Sequence, residues 1–118
     1  MSRVLKKKIA FRIENSLMSQ LEELALRNGV KPGRKFTQII ILTLYEKEAF
    51  EYVINSKTRL FELKRDPTNK KASKLITTNI PWDYYQKMQE IAIYENCSIG
   101  FVASSFLLDY IDAHPETL

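Results

Sequence analysis

Cysteine and histidine are almost missing from this chain: Cys97 and His114 are the only ones among its 118 residues. One thiol cannot close an intrachain disulfide, nor can it build a cysteine-rich metal site. A lone imidazole near the end of the sequence supplies no Ser/His/Asp set, and no metal-ligand cluster or glycine-rich phosphate loop accompanies it. Enzymatic chemistry is therefore not expected, and neither is a cofactor. Glycine and proline are scarce too, at three and four residues, which leaves room for long regular elements. Long apolar runs are lacking. The longest, 39–44, includes Thr43 and falls far short of the ~20 residues a membrane span needs. Lys6, Lys7 and Lys8 are followed by Arg12 and Glu14 rather than by an apolar stretch, which argues against a secretory signal. The expectation is a cytoplasmic protein with no membrane contact.

What the chain does have is positive charge, unevenly placed. The formal net charge is +4. Acids are absent from 2–12, where Arg3, Lys6, Lys7, Lys8 and Arg12 stand. Seven bases oppose Glu62 and Asp66 over 57–74. From Leu75 onward the sign reverses, with Lys87 alone against Asp83, Glu90, Glu95, Asp109, Asp112 and Glu116. A basic arm and a basic middle are the electrostatic footprint of a nucleic-acid partner.

Hydrophobic periodicity says more. Lys8-Ile9-Ala10-Phe11-Arg12-Ile13 alternates strictly, a half-buried strand with Ile9, Phe11 and Ile13 on one side. Asn15 or Ser16 is the expected N-cap of a helix carrying Leu17, Leu21, Leu24 and Ala25 at helical spacing. Asn28-Gly29 stops it. A basic turn over 31–35 leads to Thr37, the expected cap of a second helix through Ile39, Ile40, Leu42 and Leu44. Adding 67 to each number brings the pattern back. Ile76, Thr78 and Ile80 answer the strand; Tyr84, Met88, Ile91 and Ala92 answer the first helix; Asn96 answers Gly29. Ser98 can cap a last helix bearing Val102, Ala103, Phe106, Leu107 and Tyr110, with a shorter preceding turn that reduces the offset to 63 there. Three regions follow: a first unit over 1–48 with its basic arm, a partly helical basic linker over 49–72, and a second unit over 73–118. Apolar residues at Phe50, Val53, Ile54, Leu60 and Phe61 suggest an extension of the second helix plus a further helical turn or two over 49–63, followed by a loop at 66–70.

One strand and two helices, about 45 residues, cannot bury a strand edge and two apolar helix faces unaided. Two such units can, if the strands pair as an antiparallel ribbon and the four helices interlock beneath it. The linker is long enough to bring the second strand back beside the first. The expected fold is thus mostly α with a short two-stranded antiparallel ribbon, as two tandem β-α-α units forming an intrachain pseudo-dimer.

In this arrangement the sequence resembles the ribbon–helix–helix superfamily of the MetJ/Arc type. The residues that carry the resemblance are 8–13 followed by Leu17, Leu21, Leu24, Ala25 and Gly29. In the second half they are Ile80-Pro81-Trp82-Asp83-Tyr84, then Cys97-Ser98-Ile99-Gly100-Phe101 with Phe106, Leu107 and Tyr110. Tandem single-chain forms occur in the conjugation accessory protein TraY and in regulators of archaeal viruses. The resemblance implies that the ribbon enters the major groove of double-stranded DNA and that outward strand residues read base edges. Here those residues are Lys8, Ala10 and Arg12 on the first strand, and Leu75, Thr77 and Asn79 on the second. Arg or Lys suits guanine O6/N7 and Asn suits adenine N6/N7. Because the strands differ, the site read should not be a perfect palindrome. The resemblance also implies phosphate contacts at the starts of the second helices. These fall on Phe36, Thr37 and Gln38 with neighbouring Lys31, Arg34 and Lys35, and on Ser98, Ile99 and Gly100. Lys6 and Lys7 of the arm would add to them.

Plainer readings exist for each feature. Lys8 and Arg12 could simply guard a strand edge against aggregation. Trp82, Tyr84, Tyr85 and Tyr110 suit packing, and Cys97 suits a structural role. The leading expectation is a sequence-selective transcriptional regulator, a repressor that occludes a promoter, with copies assembling along DNA. The alternative is an antitoxin or relaxosome-type accessory protein whose acidic second unit grips a protein partner.

Overall fold

The expected alternation of the first strand decides how the chain is built. The computed structural model describes residues 6–47, 51–55, 57–65 and 73–113. Within them β1 (Lys6–Glu14) pairs antiparallel with β2 (Ser73–Pro81), and five helices complete a mostly helical fold. The helices are α1 (Asn15–Arg27), α2 (Pro32–Glu46), α3 (Lys57–Arg65), α4 (Trp82–Tyr94) and α5 (Ile99–Ala113). Among the described residues no single helix is long and apolar enough to cross a membrane. His114 and the loop expected at 66–70 lie outside the described residues.

Phe11, Ile13, Ile76, Thr78 and Ile80 point from the ribbon into one continuous core, which the apolar faces of the helices close. Leu17, Leu21, Leu24 and Ala25 are all buried, as are Met88, Ile91 and Ala92. Both first helices end in the same way. Gly29 (φ +67°) and Asn96 (φ +53°) adopt left-handed backbone. In each case the following residue reaches back over the helix end, Val30 N–H to Ala25 O (3.0 Å) and Cys97 N–H to Ala92 O (2.9 Å).

Four expectations need correction. First, Asn15 and Ser16 are not caps. The strand runs straight into the helix with Glu14 at the N-cap and no side-chain cap bond. Asn15 Oδ1 and Ser16 Oγ are buried without a hydrogen-bond partner. Second, the basic stretch at 31–35 is not a turn. α2 starts at Pro32, whose fixed φ and missing N–H suit a first helical position. Thr37 therefore lies in the second turn, where its hydroxyl donates to Gly33 O (3.0 Å).

Third, the earlier start removes the shorter turn, so α2 and α5 keep the offset of 67 throughout. Leu44 then answers Ile111 rather than Leu107, and Gly33 answers Gly100. Fourth, α2 does not run on into the linker. Lys47 is already extended. Residues 51–55 alternate, burying Tyr52 and Ile54 while Glu51, Val53 and Asn55 stay exposed. The Ser98 cap holds: its Oγ accepts from Phe101 N–H (3.1 Å).

The two halves fill their cores differently. Phe11 packs on Phe36 with ring centroids 5.8 Å apart. The answering positions are Thr78 and Ala103, and Thr78 instead donates to Ile9 O across the ribbon (3.3 Å). Volume returns from the linker, where Tyr52 meets Phe106 edge-on at 4.7 Å. Conserving total volume in this way is what a close-packed interior requires.

Candidate nucleic-acid interface

The outer face of the ribbon brings together all six residues expected to read bases. Lys8 stands opposite Asn79, Ala10 opposite Thr77 and Arg12 opposite Leu75. All six are exposed, Leu75 at 60%. Ala10 thus faces the residue that lies 67 positions after it, so the centre of the pairing coincides with the centre of the 67-residue correspondence. Each end of the face then carries a pair of its own, the polar Lys8 with Asn79 at one end and Arg12 with the apolar Leu75 at the other. Opposite strand positions sit about 4.5–5.5 Å apart, so each pair presents one compact surface. Arg12 Nη1 also reaches Ser73 Oγ at 3.5 Å.

A cleft of about 830 Å³ flanks this face, lined by Lys6, Lys31, Arg34, Thr37 and Gln38 along with Leu75, Thr77 and Asn79. Three cations meet there at the start of α2. Lys35 N–H already bonds Lys31 O (3.0 Å), and Pro32 has no N–H. The amides that α2 leaves for a ligand are therefore those of Gly33 and Arg34. That moves the expected amide site from Phe36, Thr37 and Gln38 back by one turn. Phe36 is fully buried, whereas Gln38 is exposed on the cleft wall. Gly33 is needed there, because a Cβ would lie 2.5 Å from the Thr77 carbonyl oxygen. Its identity with Gly100 at an offset of 67 was the signal that could have located it.

Two expected phosphate ligands are engaged elsewhere. Lys35 is buried, donates to Asn28 Oδ1 (2.9 Å), and holds its ammonium 5.3 Å from the Tyr110 ring centroid. Lys7 has the parity of the buried strand residues, and its Nζ rests 5.1 Å and 5.2 Å from the ring centroids of Trp82 and Tyr85. Those two rings stack at 5.6 Å. Cation–π contacts of this kind take both ammonium groups out of the simple role of phosphate ligand.

Ser98, Ile99 and Gly100 do open α5. The Phe101 and Val102 amides bond Ser98, leaving those of Ile99 and Gly100. The cleft beside them measures about 280 Å³ and is lined by Arg12, Glu14, Ser73, Ser98 and Gly100, with Leu60 of α3. The sequence marked Leu60 only as an apolar linker position and not as part of this cleft, whose other lining residues are distant in the chain.

The linker also changes the charge of the second half. Lys57 pairs with Glu95 at 2.8 Å, Arg59 pairs with Asp112, and the Tyr52 hydroxyl donates to Asp109 while sharing a 3.0 Å bond with Ser105. Burial and the Asp109 carboxylate together push the Tyr52 phenol far above its ordinary pKa, so it stays a donor. Three of the six acids that give the second half its negative sign are thus engaged by the chain's own linker. Compared with known proteins, the chain matches no family model, no curated sequence and no solved structure.

Proposed function

We propose that the chain is a tandem ribbon–helix–helix protein whose two β-α-α units pair within one molecule, and that it binds double-stranded DNA selectively by laying the ribbon in the major groove. The observation that carries this reading is the register. Six outward residues form three cross-strand pairs about Ala10 and Thr77, and each pair has base-edge chemistry or shape. A two-stranded ribbon fits the major groove, where every base pair has its own donor and acceptor pattern. Arg12 and Lys8 suit guanine, Asn79 suits adenine, and Leu75 and Thr77 suit the thymine methyl. Lys6, Lys31, Arg34 and the amides of Gly33 and Arg34 would hold the backbone and fix the register.

The role that follows is transcriptional regulation by occlusion of a promoter. The alternative, a protein-gripping second unit, drew on its acidic surface. The bonds that Lys57, Arg59 and Tyr52 make to that surface weaken its appeal. Selection from a random duplex library tests the reading. Wild type should enrich an asymmetric motif, and Arg12→Ala and Asn79→Ala should relax it at different positions. Binding should also weaken steeply with salt. Failure to enrich any motif, with weak binding indifferent to both substitutions, overturns it.

A further inference from the structure

The two clefts beside the ribbon occupy answering positions and have opposite character. Lys6, Lys31 and Arg34 of the larger cleft correspond to Ser73, Ser98 and Phe101 of the smaller. Every cation of the first is therefore replaced by a hydroxyl or a ring. Asn79 corresponds to Arg12, which lines the smaller cleft, reaches Ser73 Oγ at 3.5 Å and is assigned to bases on the proposed reading. At the position of Pro81 the smaller cleft carries the carboxylate of Glu14, which disfavours a polyanion.

α3 then fills the space. Leu60, 1% exposed, lines the smaller cleft, and Phe61 packs on Phe101 with centroids 5.4 Å apart. The helix is fastened at two further points, Lys57 to Glu95 and Arg59 to Asp112. The first half has no such cover among the described residues, and its cleft is about three times larger (830 against 280 Å³).

We infer that this chain grips the DNA backbone on one flank only: the start of α2 clamps phosphate beside the end of the ribbon that carries Lys8 and Asn79, while α3 narrows the answering site at the start of α5, which has no cation in place of Lys6, Lys31 or Arg34. The inference rests on the DNA-binding reading above and adds something that reading does not contain, a polarity. Bases are read from both strands of the ribbon, yet the protein is anchored at one end. One-sided anchoring sets a direction on the DNA even where the bases read are nearly palindromic.

Ethylation interference on a duplex carrying the selected motif tests this with the full chain. Phosphates whose ethylation blocks binding should lie beyond one end of the motif. Lys31→Ala and Arg34→Ala should each make the salt dependence less steep by about one unit of log–log slope. Circular dichroism of each variant confirms that it is folded. Interference beyond both ends of the motif overturns the one-sided grip and leaves the DNA reading intact. A wild-type protein that selects no motif overturns both.

Discussion

The segments 6–46 and 73–113 have the same backbone plan and different surfaces. Strand, first helix and second helix have identical lengths in both, 9, 13 and 15 residues. Ile13 and Ile80 are both fully buried, and the helix stops at Gly29 and Asn96 share three answering backbone bonds. Where residues face solvent the halves part: bases cluster at the start of α2, and α5 is covered by the linker. Buried positions set the fold because they must fill a common core, whereas exposed positions drift toward whatever each half touches. On the proposed reading, one half became the anchor and the other the covered side.

The largest expected effects test the likeness inside. Ile13→Ala and Ile80→Ala should each cost about 2–5 kcal/mol of stability in urea unfolding. Similar losses would support one shared core. A loss confined to one of them would mean that the halves are packed independently.

Next in size is a contrast at a single answering position. A Cβ on Gly33 would sit 2.5 Å from the Thr77 backbone oxygen, whereas one on Gly100 meets nothing closer than Ser98 Oγ at 3.9 Å. Gly33→Ala should therefore cost about 1–3 kcal/mol through overpacking. Gly100→Ala should be neutral or gain up to about 1 kcal/mol from reduced backbone entropy in the unfolded chain. Equal effects would remove the asymmetry between the two helix starts.

Tyr52→Phe should cost about 1–3 kcal/mol, because it strips the donor from the partly buried Asp109 carboxylate and a hydrogen-bond partner from Ser105. It touches only the covered half, and Leu42, which answers Asp109, has no comparable bond to lose. An unchanged unfolding midpoint would show that the linker does not hold the second half.

How much of this was legible in the sequence follows physical lines. Period-two alternation in β1 and β2 placed all six outward residues correctly, because one slip in parity would have sent Ile9, Phe11 and Ile13 into water. The helix stops were legible from residues that tolerate positive φ. The start of α2 was not, because Lys31-Pro32-Gly33-Arg34-Lys35 looks like a turn by composition while proline suits a first helical position equally well. Lys35 was misjudged because its partners, Asn28 and Tyr110, lie 7 and 75 residues away. The linker's role was hidden for the same reason: Tyr52, Lys57 and Leu60 act on residues about 40 to 50 positions later in the chain.

The smallest expected effect concerns Cys97, which stands where Val30 stands in the first half. Burial pushes its thiol pKa up; Lys57 opposes that shift and Glu95 adds to it. A raised pKa means less thiolate at neutral pH, so alkylation should be slower than for a free thiol and should accelerate only at higher pH. Cys97→Val should change stability by no more than about 0.5 kcal/mol. Fast alkylation near pH 7 would mark Cys97 as more than a packing residue.

One measurement goes to the centre of the account. Arg12 answers Asn79, Lys8 answers Leu75 and Ala10 answers Thr77, so a variant that exchanges all three pairs (Arg12→Asn with Asn79→Arg, Lys8→Leu with Leu75→Lys, Ala10→Thr with Thr77→Ala) reverses the reading face and keeps Lys6, Lys31 and Arg34 of the α2 cleft. Library selection followed by ethylation interference should return the wild-type motif, with the blocking phosphates moved to its opposite end. Blocking phosphates that keep their wild-type end of the same motif, or a folded variant that still binds DNA but selects an unrelated sequence, would contradict the claim that these six ribbon residues read the DNA.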